Sequence, residues 1–208
     1  FRTPLNILNG FTQILTAPDM VLQNEEKADI QQRISESTAR ITSLVNTMLE
    51  LSDANSHQVI ERSDDVAALM IASQAAQNAG VLQDTQFKFD MQTDAQAETI
   101  VHTNQQSATR ALTLLLDNAR KFTKEGEVRL RIEKKVKTID FIVEDTGIGV
   151  PAEEAEHIFE EFVQLDSYYD GTGIGLTVAR SIVRRLGGDI VLDTSYTSGA
   201  RFVMTLPV

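Results

Sequence analysis

The chain has 208 residues, enough for one large or two modest domains with a real core. Apolar residues at 42% and charged residues at 24% describe an ordinary soluble composition, and a net charge of −11 argues against nucleic acid as a partner, because phosphate contact needs clustered Lys and Arg. Cysteine is absent, which excludes disulfides and thiolate metal sites and fits a reducing compartment. No apolar run approaches membrane-span length and no signal peptide is visible, so no direct membrane contact is expected of this stretch. Opening on Phe1 rather than Met, it reads as a fragment. That leaves a cytoplasmic region of a membrane-anchored parent open.

Residues 5–15 place Leu5, Leu8, Thr12 and Leu15 at helical steps, with Ile7, Phe11 and Ile14 on the neighbouring stripe. Ala17, Pro18 and Asp19 break that helix. A second, longer run alternates steps of four and three through Ile30, Ile34, Ser37, Ile41, Leu44, Met48 and Leu51. Sustained heptads specify a coiled-coil or bundle seam. Two helices cannot bury both stripes, so a second copy of the hairpin is expected to complete a four-helix bundle; packing on the chain's own C-terminal part is the plainer alternative. Polar residues replace the heptad at Asp53–Gln58, and the domain boundary is placed there: 1–56 as a helical hairpin and 57–208 as a second domain, with residues 55–58 as a hinge.

In the second domain a strand-like stretch opens at Val59, Val66 to Ala79 reads as a helix closed by Gly80, and Gln86 to Met91 and Ile100 to His102 read as strands. Asn104 is a good N-cap for a helix through Phe122 that buries Leu112, Leu115, Leu116 and Ala119. Val128 to Ile132 and Ile139 to Val143 form an alternating hairpin. Pro151 suits the first turn of a short helix through Phe162, which would set Phe159 and Phe162 on one face. A helix from the Gly171–Gly175 cluster to Gly187-Gly188 follows, then strands at Ile190 to Asp193 and Ala200 to Leu206. The predicted class is α+β: the helical hairpin, then an α/β sandwich with one sheet covered by helices on one face.

Four stretches carry chemistry. In Asn118-Ala-Arg-Lys-Phe122, Asn118 offers a neutral oxygen to a hard cation bearing phosphates, Lys121 a point charge for phosphate, and Phe122 a face for adenine. In Asp145-Thr-Gly-Ile-Gly149, Gly147 and Gly149 let a flat ligand approach the backbone, and Asp145 can accept from an exocyclic amino group. Phe159-Glu-Glu-Phe162 is the third. Gly171-Thr172-Gly173-Ile-Gly175-Leu176 is the fourth, its N–H groups leading into a helix start that suits phosphate. Each alone has an ordinary explanation as a buried amide, a solvated charge, core aromatics or a tight turn. The four in this order point to ATP with Mg²⁺, held without a Walker P-loop.

These stretches resemble the N, G1, F and G2 boxes of two-component sensor histidine kinases, within the GHKL ATPase superfamily. Phe1-Arg-Thr-Pro-Leu5 resembles the end of the H box, so the resemblance covers nearly the whole chain. It implies an ATP-dependent histidine autokinase core that passes phosphoryl to an aspartate on a response-regulator receiver domain, and a homodimer through the hairpin. By the family pattern Asn118 would ligate Mg²⁺, Asp145 would bind the adenine amino group, Lys121 would approach phosphate, and Thr3 would help position water for dephosphorylating the partner. Pro4 would kink the first helix. The acceptor histidine would stand two residues before Phe1; His57, His102 and His157 do not fit its motif.

Two departures from the pattern matter. Leu114, four residues before Asn118, replaces the Asn of many kinases and the water-activating Glu of the related ATPases. Leucine is no general base, which disfavours hydrolysis as the native reaction. The segment from Gln164 to Gly171 is short for a lid, with Tyr168 and Tyr169 where a basic residue is often found. The alternatives are a GHKL-type ATPase and a nucleotide-binding scaffold without kinase activity.

Overall fold

The computed structural model describes residues 2–16, 23–54, 59–92, 98–165 and 173–208. The chain forms two compact units, 1–53 and 54–208, and each is taken by itself.

The first unit contains two helices, α1 (Arg2–Thr16) and α2 (Asn24–Ala54). At the start of α2, Glu26 reaches back to accept from the Gln23 N–H at 2.8 Å, and Glu25 and Glu26 complement the helix dipole. The heptad stripe of α2 splits into two rows. Ile30, Ser37 and Leu51 are buried, whereas Met48 is 40% exposed beside the exposed Val45 and Leu49.

The second unit is built on a five-stranded sheet whose strands run in the order 88–92, 127–134, 138–145, 201–207 and 189–192, with only the first two parallel. Its strands are β2 (Lys88–Gln92), β4 (Glu127–Lys134), β5 (Thr138–Asp145), β6 (Asp189–Leu192) and β7 (Arg201–Pro207). β1 (Asp64–Ala67) and β3 (Ile100–Thr103) pair antiparallel as a separate ribbon. The sheet's inner face meets α3 (Ala68–Asn78), α4 (Gln105–Phe122) and α5 (Gly175–Arg185). In α4, Ala108, Ala111, Leu112, Leu115, Leu116 and Ala119 are buried at helical spacing, and Asn104 caps the start by accepting from the Ser107 N–H at 3.0 Å.

Strand parity aims the site. Ile139, Phe141 and Val143 of β5 point into the core, and the period of two puts Asp145 on their side, at the strand's end. Glu144 points to the opposite face, where Arg131 at 2.8 Å and Arg201 at 2.7 Å bond its carboxylate.

Three expectations are corrected. The strand-like stretch from Val59 makes no ladder until Asp64, because pairing with β3 defines β1. Val66 and Ala67 belong to that strand, so the following helix starts at Ala68. The helix expected from Pro151 to Phe162 is two short 3₁₀ turns, Ala152–Glu154 and His157–Phe159. Phe162 sits at φ 65°, so Phe159 and Phe162 do not share a helical face. The hinge at 55–58, with His57, lies outside the described residues.

Candidate nucleotide site

A cavity of about 240 Å³ opens between α4, the end of β5, the turn after Pro151 and the start of α5. Asn118, Lys121, Phe122, Asp145, Gly149, Gly173, Gly175 and Leu176 line it, drawn from three of the four stretches singled out above.

Asp145 is 2% exposed. Its Oδ1 accepts from the Gly147 N–H at 2.9 Å and from the Ala200 N–H at 3.2 Å. Burial raises its pKa, and those two backbone hydrogen bonds oppose the rise. Both donors fall on one oxygen, and among the described residues Oδ2 takes no hydrogen bond. A buried carboxylate with one anchored and one available oxygen is a fixed acceptor for a ligand N–H. Gly147 stands behind this carboxylate: a Cβ there would collide with the Phe122 carbonyl, so only glycine lets the turn lie against the end of α4. Gly149 adopts φ 72°, in the left-handed region that favours glycine.

Across the cavity, α4 presents Asn118 and, one turn on, Lys121. The Lys121 ammonium lies 4.6 Å from the centroid of the Phe122 ring. Asp117 also lines the cavity; its pKa is raised by burial, against the pull of Arg120 and Arg110. α5 begins at Gly175 with no side-chain hydrogen bond from its N-cap, Ile174, and a helix start is where backbone N–H groups suit an anion.

The F stretch is arranged otherwise. Ile158, not Phe159, lines the cavity; Phe159 meets Phe202 edge-on at 6.3 Å, and Phe162 is 58% exposed. Gly171 and Thr172 lie outside the described residues, as do Tyr168, Tyr169 and the side chain of Thr3. His102 sits in β3 against Asp65 at 2.8 Å, and His157 opens a 3₁₀ turn. Asp117, Ile158, Leu165 and Ala200 were missed in the sequence. Only Asp117 carried a signal, a carboxylate next to Asn118; the others arrive through tertiary contact.

The profile described as "Histidine kinase-, DNA gyrase B-, and HSP90-like ATPase" matches residues 103–208. The chain belongs to this ATPase family. A second profile, the His Kinase A (phospho-acceptor) domain, matches residues 1–57, which places this family member among the two-component sensor histidine kinases. The sensory/regulatory protein RpfC of Xanthomonas campestris pv. campestris is 31% identical over 100% of the chain and 30% of its own length. The circadian input-output histidine kinase CikA of Synechococcus elongatus is 28% identical over 99% of the chain and 28% of its own. The chain thus spans under a third of these curated relatives. In fold it is similar to the Acinetobacter baumannii histidine kinase AdeS, with TM-score 0.73 at 20% identity over 99% of this chain and 95% of that one. It is also similar to the histidine kinase ThkA solved with the response regulator protein TrrA, with TM-score 0.75 at 20% identity over 99% and 58%. Membership of this family implies that the chain binds ATP. Among the described residues no helix is long and apolar enough to cross a membrane.

Proposed function

We propose that this chain is the core of an ATP-dependent histidine autokinase. Residues 1–56 would be the dimerisation and phosphotransfer hairpin and 57–208 the catalytic domain. Asp145 receives the adenine amino group, and Gly147 and Gly149 keep the backbone close to the ring. Phe122 borders the base. Lys121 and the uncapped start of α5, with Gly173, Gly175 and Leu176, face the phosphates; Gly171 and Thr172 belong to the same stretch. The observation that carries this reading is Asp145, buried, anchored through one oxygen, and sharing its cavity with Asn118 and Lys121.

The donor set fits Mg²⁺ carried on the nucleotide. Among the described residues no cluster of three His, Cys, Asp or Glu could hold a metal by itself, and a neutral carboxamide beside phosphate oxygens suits a cation that keeps most of its waters. Asn118 would hold it, and when bound it neutralises charge on the transferring phosphoryl group. The chain's residues orient the nucleotide. A nitrogen of the acceptor histidine would then attack the γ-phosphorus, and ADP would leave. The phosphoryl group would pass on to an aspartate of a response-regulator receiver domain, docked on the dimeric four-helix bundle. Thr3 is proposed to orient water in the reverse, phosphatase reaction. The exposed Val45, Met48 and Leu49 supply an apolar face for the second copy.

Hydrolysis is the weaker reading. Leu114 lines the cavity near the start of α5, where an added Cβ on Gly175 would lie 3.9 Å from its Cδ2, and it has no proton to take or give. Asn118→Ala tests the site. The domain is expected to stay folded by circular dichroism while calorimetric ADP affinity loses its response to Mg²⁺. An affinity that still rises with Mg²⁺ as in the parent would remove Asn118 from the site.

A further inference from the structure

Behind the cavity, one arginine ties three parts of the second unit together. Arg180 lies on α5, its side chain 9% exposed. Its Nη1 donates to Glu156 Oε2 at 2.7 Å and its Nε to Asp189 Oδ1 at 2.9 Å. The guanidinium carbon stands 4.3 Å from the centroid of the Phe159 ring, which also meets Phe202 edge-on. A planar cation with a forked donor set can satisfy two carboxylates and stack on a ring at once.

The segment it grips has little structure of its own. The two 3₁₀ turns hold three residues each, and such short turns make few and poorly aligned hydrogen bonds. Thr177, one turn before Arg180, adds a second tie by donating its hydroxyl to the Glu160 carbonyl at 3.0 Å. A third joins Phe162 and Gly173, where the Phe162 N–H donates to the Gly173 carbonyl at 3.0 Å. There an aromatic residue holds φ 65°, and a Cβ on Gly173 would come within 2.7 Å of the Phe162 carbonyl carbon. A bulky residue keeps a left-handed conformation only when its surroundings over-determine it. All three ties run to α5 or its lead-in, whose start lines the cavity, and Ile158 within the gripped turn lines it from the other side.

We propose that Arg180 is a positioning residue for the nucleotide: clasping Glu156, Phe159 and Asp189, it holds Ile158 at the cavity wall and sets the gap between turn 156–162 and the start of α5. The role rests on reading the cavity as an ATP site. Of its two carboxylate partners Glu156 is the more exposed, at 78%, and an exposed ion pair contributes little to folding, so this half of the clasp is expected to act mainly on binding. A small displacement of a binding wall weakens a ligand strongly.

The test uses this chain with Arg180→Met, Arg180→Lys and Glu156→Lys, following ADP affinity by calorimetry, folding by thermal unfolding, and the Ile158 methyl resonance without ligand. Arg180→Met is expected to bind ADP at least about tenfold more weakly while folded, with the Ile158 methyl signal moved. Arg180→Lys keeps the charge over Phe159 but cannot fork between two carboxylates, and should fall between Arg180→Met and the parent. Glu156→Lys, a change at an exposed position, should weaken binding about threefold. Binding within about twofold of the parent in a folded Arg180→Met, with an unmoved Ile158 signal, overturns the proposal. Should Arg180→Met fail to fold, parent-like affinity in Glu156→Lys overturns it. A parent chain that binds no ADP refutes the ATP-site reading itself, a distinct result.

Discussion

Asp145 combines two properties that ordinarily oppose each other, deep burial and an ionisable group turned toward a cavity. Burial raises its pKa, so the folded domain binds that proton more tightly than the unfolded chain does. The contribution of this group to stability is therefore present in acid and is lost as pH rises through the raised folded pKa. Asparagine at this position removes the penalty. Its carboxamide oxygen can still accept from the Gly147 and Ala200 N–H groups, but it turns an NH₂ toward the cavity where an acceptor is needed. Asp145→Asn is expected to keep or raise the midpoint of thermal unfolding at neutral pH and to weaken ADP binding at least about tenfold. A variant that binds ADP like the parent would show that Asp145 does not touch the base.

At the scale of elements, α5 and β6 are joined by charge. Burial works against the ionised form of Asp189, yet hydrogen bonds from Arg180 and Arg184 outweigh it and bring its pKa down to about 2. Asp193 is also lowered to about 2, chiefly by the Ser195 hydroxyl and by Arg201. Folded values below the unfolded ones mean that this stability is present above the ordinary carboxylate range and is lost as pH falls toward about 2. Asp189→Asn should lower stability at neutral pH and flatten its fall in acid, read as urea midpoints between about pH 4 and about pH 2. Curves parallel to the parent's would mean the bridge contributes nothing. How much could be read in advance differed by element for similar reasons. α4 was legible because its signals are local: Asn104 caps it and its leucines repeat at helical spacing. β4 was legible from alternation, whereas β5, buried on both faces, carries only part of that pattern. The turn after Pro151 was not, since its shape is imposed from α5 through Arg180, Thr177 and the Phe162–Gly173 contact. Of the site, the turn at Asp145 and the face of α4 carry their chemistry in short strings. Ile158 and Ala200 reach the cavity only through packing, which no string records.

Across the whole molecule, the two units match two different profiles, a phospho-acceptor domain and an ATPase domain, within one acidic chain. On the proposed reading neither suffices, because one holds the nucleotide and the other belongs with the histidine that receives the phosphoryl group. On that reading Asp145 and its neighbours select the nucleotide, and the nature of the acceptor decides whether the outcome is a kinase or an ATPase. The direct measurement incubates the full-length protein with γ-labelled ATP and follows both protein-bound label and released phosphate. Acid-labile, alkali-stable label on the protein is the expected result. Steady phosphate release with no labelled protein would contradict it.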